Sequence, residues 1–235
     1  MSYRRIALIN IVAFVIIIGL VYVLWDYYYQ NSRYVSTDNA YVSGQQIPLN
    51  VEYPGKLLNW TGTSGQQVTA GQLLGKVDTS VELQSIGALA KNTKVANAVK
   101  SAAQIKSPID GTLIRPAATV GQMATPQSPL GYVVNLKQLY VIANIKESDV
   151  RHVDVGDTVD VSLDALPNQT LKGVVLSIGQ YTNSLFALIP PSDVASGTYT
   201  KVTQTVPVKI SLNGYAGDKV LPGMNATVHI HRKNN

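Results

Sequence analysis

The chain has 235 residues, 14% of them charged, no cysteine and a formal charge of +5. That length holds one or two small cores and excludes a large catalytic architecture, while the missing thiols exclude disulfides, thiolate zinc sites and thiol catalysis. With Arg4 and Arg5 set aside the excess is only +3 and scattered, so there is no basic face for nucleic acid.

The first element is an apolar run. Ile6 to Trp25 (IALINIVAFVIIIGLVYVLW) has no charge and one amide, Asn10; as a helix it covers about 30 Å, the thickness of a bilayer core. Arg4 and Arg5 precede it and Asp26 follows, so the positive-inside rule puts residues 1–5 in the cytoplasm and everything past Trp25 outside. Arg4, Arg5, Trp25, Tyr27, Tyr28 and Tyr29 are the expected interface anchors. A cleaved signal peptide has an apolar stretch of about 7–15 residues ending at small side chains, so an uncleaved single-pass anchor at 6–25 is expected, then a linker at 26–36.

An internal repeat follows. The segment from Pro54 (PGKLLNWTGTSGQQVTAGQLLGKV) aligns with that from Asp110 (DGTLIRPAATVGQMATPQSPLGYVV) at an offset of 56. Gly55, Leu57, Gly65, Gln66, Leu74, Gly75 and Val77 match Gly111, Leu113, Gly121, Gln122, Leu130, Gly131 and Val133. Each half reads as short strands, and the six glycines Gly55, Gly65, Gly75, Gly111, Gly121 and Gly131 read as turn positions able to take positive φ. Neither half closes a core alone; 37–78 and 106–135 facing each other bury a shared layer as a small β-sandwich. The pattern resembles the biotinyl/lipoyl-carrier fold, but the Asp-Lys-Ala or Met-Lys-Met context of a modified lysine is absent from the join.

Between the halves lies an insertion at 79–105. Val81, Leu83, Ile86 and Leu89, then Val95, Ala98, Val99 and Ala102, recur at helical spacing around Lys91-Asn92-Thr93-Lys94. This predicts a short helical hairpin whose arms reach only about 15 Å. One continuous helix or an irregular loop is the alternative, because Gly87 weakens the propensity.

From 136 to 232 the signals are again β, with a tail at 233–235. Leu139–Ile145 alternates, Glu147–His152 reads as a helical turn, and strands are expected at Val159–Leu163, Leu171–Ile178, Val206–Leu212 and Ala226–His231. About six short strands at this spacing fit a small antiparallel barrel, so the chain is mainly β.

An apolar N-terminus, split lipoyl-like halves and a barrel opened by LYVIANIKESDVRHVDVGDTVDVSLDALPNQTLKGVVLSI resemble the HlyD-type membrane fusion proteins, or periplasmic adaptors. The start Ser36-Thr37-Asp38-Asn39-Ala40-Tyr41-Val42 and the stretch Ser196–Ile210 (SGTYTKVTQTVPVKI) are most similar to the EmrA branch. The resemblance implies a non-catalytic multidrug efflux adaptor that oligomerises around an inner-membrane transporter of major-facilitator type, with the hairpin reaching toward an outer-membrane channel. The stub of a hairpin here departs from that pattern and favours a Gram-positive type of cell, the alternative being a protein that works without an outer channel. An adaptor for an ABC-type peptide or protein exporter, or a biotin/lipoyl carrier subunit, is the alternative.

The remaining features carry no chemistry. His229 and His231 share a strand face but supply too few ligands for a metal, His152 reads as a turn residue, and Walker, dinucleotide, Gly-x-Ser-x-Gly and His-Glu-x-x-His motifs are all absent. No catalytic residue, cofactor or metal is expected. The long apolar connection Gly179–Thr205 is the candidate contact for a transporter or neighbouring subunit, through Tyr181, Leu185, Phe186, Leu188, Ile189 and Tyr199. Its alternative role is to fold back and plug the barrel.

Overall fold

The computed structural model describes residues 12, 14–25, 34–85, 87, 92–167, 169–186, 203–215 and 219–232. The chain divides into two compact units, one of Met1–Val42, Tyr140–Tyr215 and Gly223–Asn235, the other of Ser43–Leu139 and Ala216–Pro222.

In the first unit, helix α1 is described at residues 12 and 14–25. Its apolar side chains are exposed along the whole described length, from Phe14 at 64% to Trp25 at 72%. Among the described residues no helix is long and apolar enough to cross a membrane. The remainder of the apolar run and the expected anchors Arg4, Arg5, Tyr27, Tyr28 and Tyr29 lie outside the described residues.

The same unit contains a closed barrel. Around it run β1 (Tyr34–Pro48), β12 (Asn225–His231), β9 (Thr158–Leu163), β10 (Thr170–Ile178), β11 (Thr205–Ser211) and β8 (Tyr132–Lys146), and β8 pairs back to β1. The last strand is joined to β9 by the one-turn helix α4 (Glu147–Val150) and a tight turn. Period-two alternation puts Val141, Ala143 and Ile145, Val159, Val161 and Leu163, Val206, Val208 and Ile210, and Ala226, Val228 and Ile230 inside. The four later strands lie where their alternation predicts them. The sixth member, β1, comes from residues that the sequence pattern divides between linker and first lipoyl-like half, and Tyr34–Tyr41 pairs with β12. A bulge between Thr37 and Ala40 moves the inward positions from odd-numbered Val35 to even-numbered Ala40 and Val42, which hides the strand from a periodicity reading.

The second unit is built from the repeat. One sheet runs β5 (Gln104–Lys106), β4 (Leu73–Val77), β2 (Gly55–Trp60), β7 (Met123–Ala124); on the other side β3 (Gln67–Val68) pairs with β6 (Gly111–Ile114), which pairs with Tyr132–Val134 of β8. The two sides are related residue by residue at the same offset of 56. Gly55 opposes Ala124 as Gly111 opposes Val68, and Leu57 opposes Val77 as Leu113 opposes Val133. The loop hydrogen bonds repeat too: Gly65 N donates to Leu113 O and Gly121 N to Leu57 O, while Thr61 N donates to Leu74 O and Ala117 N to Leu130 O. Between them Leu57, Leu74, Leu113, Leu130, Val77 and Val133 form one core with Leu49, Val51, Val68 and Ile105.

The glycines divide into two classes. Gly65 and Gly121 take φ of +81° and +92° at the turns, a region that costs other residues roughly 1–2 kcal/mol. The other four are corrections to the turn reading, since Gly55, Gly75, Gly111 and Gly131 are not among the positive-φ residues. What the first of these needs is absence of bulk: a Cβ on Gly55 would stand 2.2 Å from the carbonyl oxygen of Asp78, and one on Gly111 would stand 2.5 Å from that of Val134. Those two carbonyls are themselves 56 residues apart, so the close approach belongs to the repeat.

The insertion forms two touching helices, α2 (Ser80–Ser85) and α3 (Thr93–Ala102). Asp78 Oδ1 accepts from Ser80 N at 2.9 Å and Asn92 Oδ1 from Lys94 N at 3.0 Å, the side-chain caps that satisfy first-turn donors. Expected hairpin positions Ile86 and Leu89 lie outside the described residues.

Candidate functional site

The strand registers define one end of the barrel. Tyr34 pairs with His231, Val174 of β10 with Thr158 of β9, Ile178 with Val208, and Thr205 with Lys146. The entry of β1, the connection 147–157, the connection 179–204 and the end of β12 therefore all open at the Tyr34 end. Among the described residues, the unit's exposed large apolar side chains beyond α1 gather there as well: Val155, Leu176, Tyr181 and Leu185 are 62%, 49%, 45% and 69% exposed, while Tyr41, alone among those described, lies toward the opposite end.

A chain of amides holds this end together. Asn183 Nδ2 donates to Asn144 Oδ1 at 2.7 Å and to Thr205 Oγ1 at 3.0 Å, and Asn144 Nδ2 donates to Asn39 Oδ1 at 3.0 Å. Thr37 Oγ1 donates to Asn144 O at 3.1 Å and accepts from Asn39 N at 3.1 Å. The bulge in β1 is what releases Asn39 from the ladder to join the chain. Four elements are thus tied by side chains: β1, β8, the first residue of β11 and the start of the 179–204 connection, where Asn183–Phe186 forms a single 3₁₀ turn.

On the barrel wall, Asp160 accepts from Lys172 Nζ and lies 3.1 Å from His231 Nε2, with Tyr34 edge-on to the His231 ring at 4.8 Å. The Lys172 hydrogen bond, with a further contribution from His231, holds the Asp160 carboxyl below its ordinary range against the opposing effect of burial. His229 is exposed, and among the described residues no group of three His, Cys, Asp or Glu side chains could hold a metal ion. In the repeat unit, Asp110 Oδ1 accepts from Ala70 N at 2.7 Å. At the related positions stand Pro54 and Pro126; a proline nitrogen has nothing to donate, so that corner needs no carboxylate. Asp110 borders a polar cleft of about 340 Å³ with Gln45, Asn135 and Gln138.

Of the contact residues expected from sequence, Tyr181 and Leu185 are exposed at the Tyr34 end and Phe186 closes the 3₁₀ turn. Leu188, Ile189 and Tyr199 lie outside the described residues. The three asparagines of the amide chain were not singled out by sequence reading. Asn39 alone of them lies in the Ser36–Val42 stretch, legible as a family mark without its physical role.

A family model of the YknX-like beta-barrel domain matches residues 139–230. The chain is 35% identical over 230 residues to the "Putative efflux system component YhbJ" of Bacillus subtilis, covering 98% of this chain and 94% of that one. It is 33% identical over 135 residues to the multidrug export protein EmrA of Haemophilus influenzae, where the match covers 53% of this chain and 34% of the relative. Among solved structures, the periplasmic adaptor protein EmrA aligns over 86% of this chain and 99% of its own with a TM-score of 0.54 at 15% identity. A MacA-MexA chimera carrying the Pseudomonas aeruginosa MexA α-hairpin aligns over 86% and 83% with a TM-score of 0.63 at 18% identity. At these identities the structural likeness speaks for the fold.

Proposed function

This chain belongs to the EmrA-like membrane fusion proteins, the non-catalytic adaptors of efflux systems, and we propose that it serves a major-facilitator-type drug exporter from the outer side of a cytoplasmic membrane. The observation that carries the reading is the match to the Bacillus subtilis efflux component, which spans 98% of this chain and 94% of the relative. It takes in the apolar N-terminus, both repeat halves, the insertion and the barrel together, and leaves little room in that relative for a longer hairpin. Similarity confined to the barrel would have supported only a shared module.

The parts divide the work by their physical chemistry. A helix with every described apolar side chain exposed is stable in lipid and not in water, so α1 belongs to a single-pass anchor at residues 6–25 with residues 1–5 in the cytoplasm. The repeat unit and barrel supply rigid surfaces, assembled as a homo-oligomer around the exporter; the export energy comes from that partner. The described helices of the insertion, 6 and 10 residues long, measure about 9 and 15 Å. Such a stub suits an envelope with one membrane and no outer channel.

Crosslinking in intact cells followed by purification of the full chain tests the reading. A polytopic permease recovered without a nucleotide-hydrolysing subunit is the expected product. Recovery of an ATP-binding exporter would replace the partner, and recovery of no transporter would remove the adaptor role.

A further inference from the structure

From the clustering of exposed apolar residues at the Tyr34 end we infer that this barrel end is a second membrane contact, with Leu185 and Tyr181 seated in the outer leaflet's interface. The inference rests on the anchored reading of α1. Eight residues, 26–33, separate α1 from β1, so full extension holds Tyr34 within about 30 Å of the helix's outer end. The connection that carries Tyr181 and Leu185 opens at that same barrel end, because Ile178 and Thr205 lie beside Val208 and Lys146 there.

The chemistry of the connection fits a lipid interface better than water. Between Lys172 and Asp193 the sequence has no charged residue, and Leu185 is 69% exposed with Val155 at 62% and Leu176 at 49% nearby in the register. A tyrosine has an apolar ring and a polar tip, the combination that settles at headgroup level. Exposed apolar side chains set on a rigid end, rather than scattered over a barrel, bind a membrane surface in proportion to the area they bury. The amide chain from Asn39 through Asn144 to Asn183 fixes the 3₁₀ turn, so Leu185 is presented with little ordering left to do on contact.

The absence of cysteine makes the test clean, since one introduced thiol gives one label. Full-length protein carrying Leu185→Cys, Tyr181→Cys, Ile18→Cys or Tyr41→Cys, each labelled with an environment-sensitive fluorophore, is reconstituted alone into vesicles of phosphatidylethanolamine and phosphatidylglycerol with or without brominated acyl chains. The inference predicts blue-shifted emission and loss of intensity with brominated lipid at 185, at 181 and at 18, and neither at 41. Quenching at 18 without quenching at 185 and 181 would overturn it while leaving the anchor intact. Absence of quenching at 18 would sink the anchored reading itself. A blue shift at 185 that needs co-reconstituted exporter, with no bromine quenching, would assign the surface to the protein partner and overturn the inference. Asn144→Ala should reduce the quenching at 185 and leave that at 18 unchanged.

Discussion

Replacing Gly111 by alanine tests the repeat at one of its two close backbone approaches. The added methyl would stand 2.5 Å from Val134 O and 2.9 Å from Val133 Cγ1, well inside ordinary contact. Val134 cannot retreat freely, because it is paired with Thr112 in the β6–β8 ladder. Relief therefore requires the strands to part, an overpacking cost of typically 1–3 kcal/mol. Taking about 2 kcal/mol, and roughly 4–8 °C per kcal/mol for a domain of about 100 residues, Tm of the repeat unit should fall by about 8–16 °C. Gly55→Ala meets the related carbonyl of Asp78 at 2.2 Å and should cost at least as much. Gly65→Ala meets nothing within 4 Å and suffers only its φ of +81°, so about 1 kcal/mol and the smaller loss are expected. Scanning calorimetry of the full chain in detergent measures all three. If Gly111→Ala melts with the wild type, or Gly65→Ala proves the most damaging, the close-approach reasoning is wrong.

Lys172→Met should lower stability at neutral pH by no more than about 1 kcal/mol, because Lys172 is 74% exposed and solvent screens the pair. Since the Asp160 pKa is lowered in the folded state, this increment is present above the unfolded value of about 3.9 and is lost as pH falls through the folded one; denaturant melts of the two proteins should converge in acid. Asp110→Ala leaves the Ala70 N–H without its carboxylate and should cost about 1 kcal/mol, measured by the same melts, whereas Pro126→Ala at the related corner should not be rescued or worsened by changing Pro54. Asn144→Ala should speed amide hydrogen exchange at residues 183–186 while the barrel core keeps its protection; equal exchange in both proteins would show that the amide chain holds nothing.

The repeat was legible because its signals are local and doubled: the same residue types recur at one offset, and each half needs the other for a core. Its glycines were found for a partly mistaken reason. Turn chemistry accounts for Gly65 and Gly121, but the crowding at Gly55 and Gly111 arises from a carbonyl on another strand, which no local pattern reports. The barrel strands after Leu139 alternate over most of their length, β10 as far as its irregularity at Val175–Ser177, and are visible. Strand β1 was not, since the bulge at Thr37–Ala40 reverses the parity of its inward side chains. The candidate contact surface was half visible: apolar Leu185 and Tyr181 stand out in sequence, while the asparagines that fix them come from three distant segments and meet only in the folded barrel.

The efflux of a preloaded lipophilic fluorescent compound from energised cells tests the adaptor role most directly. Cells lacking this chain should retain the compound, and expression of the full chain should restore its loss. Identical efflux with and without the chain, in cells whose exporter is intact, would contradict the account.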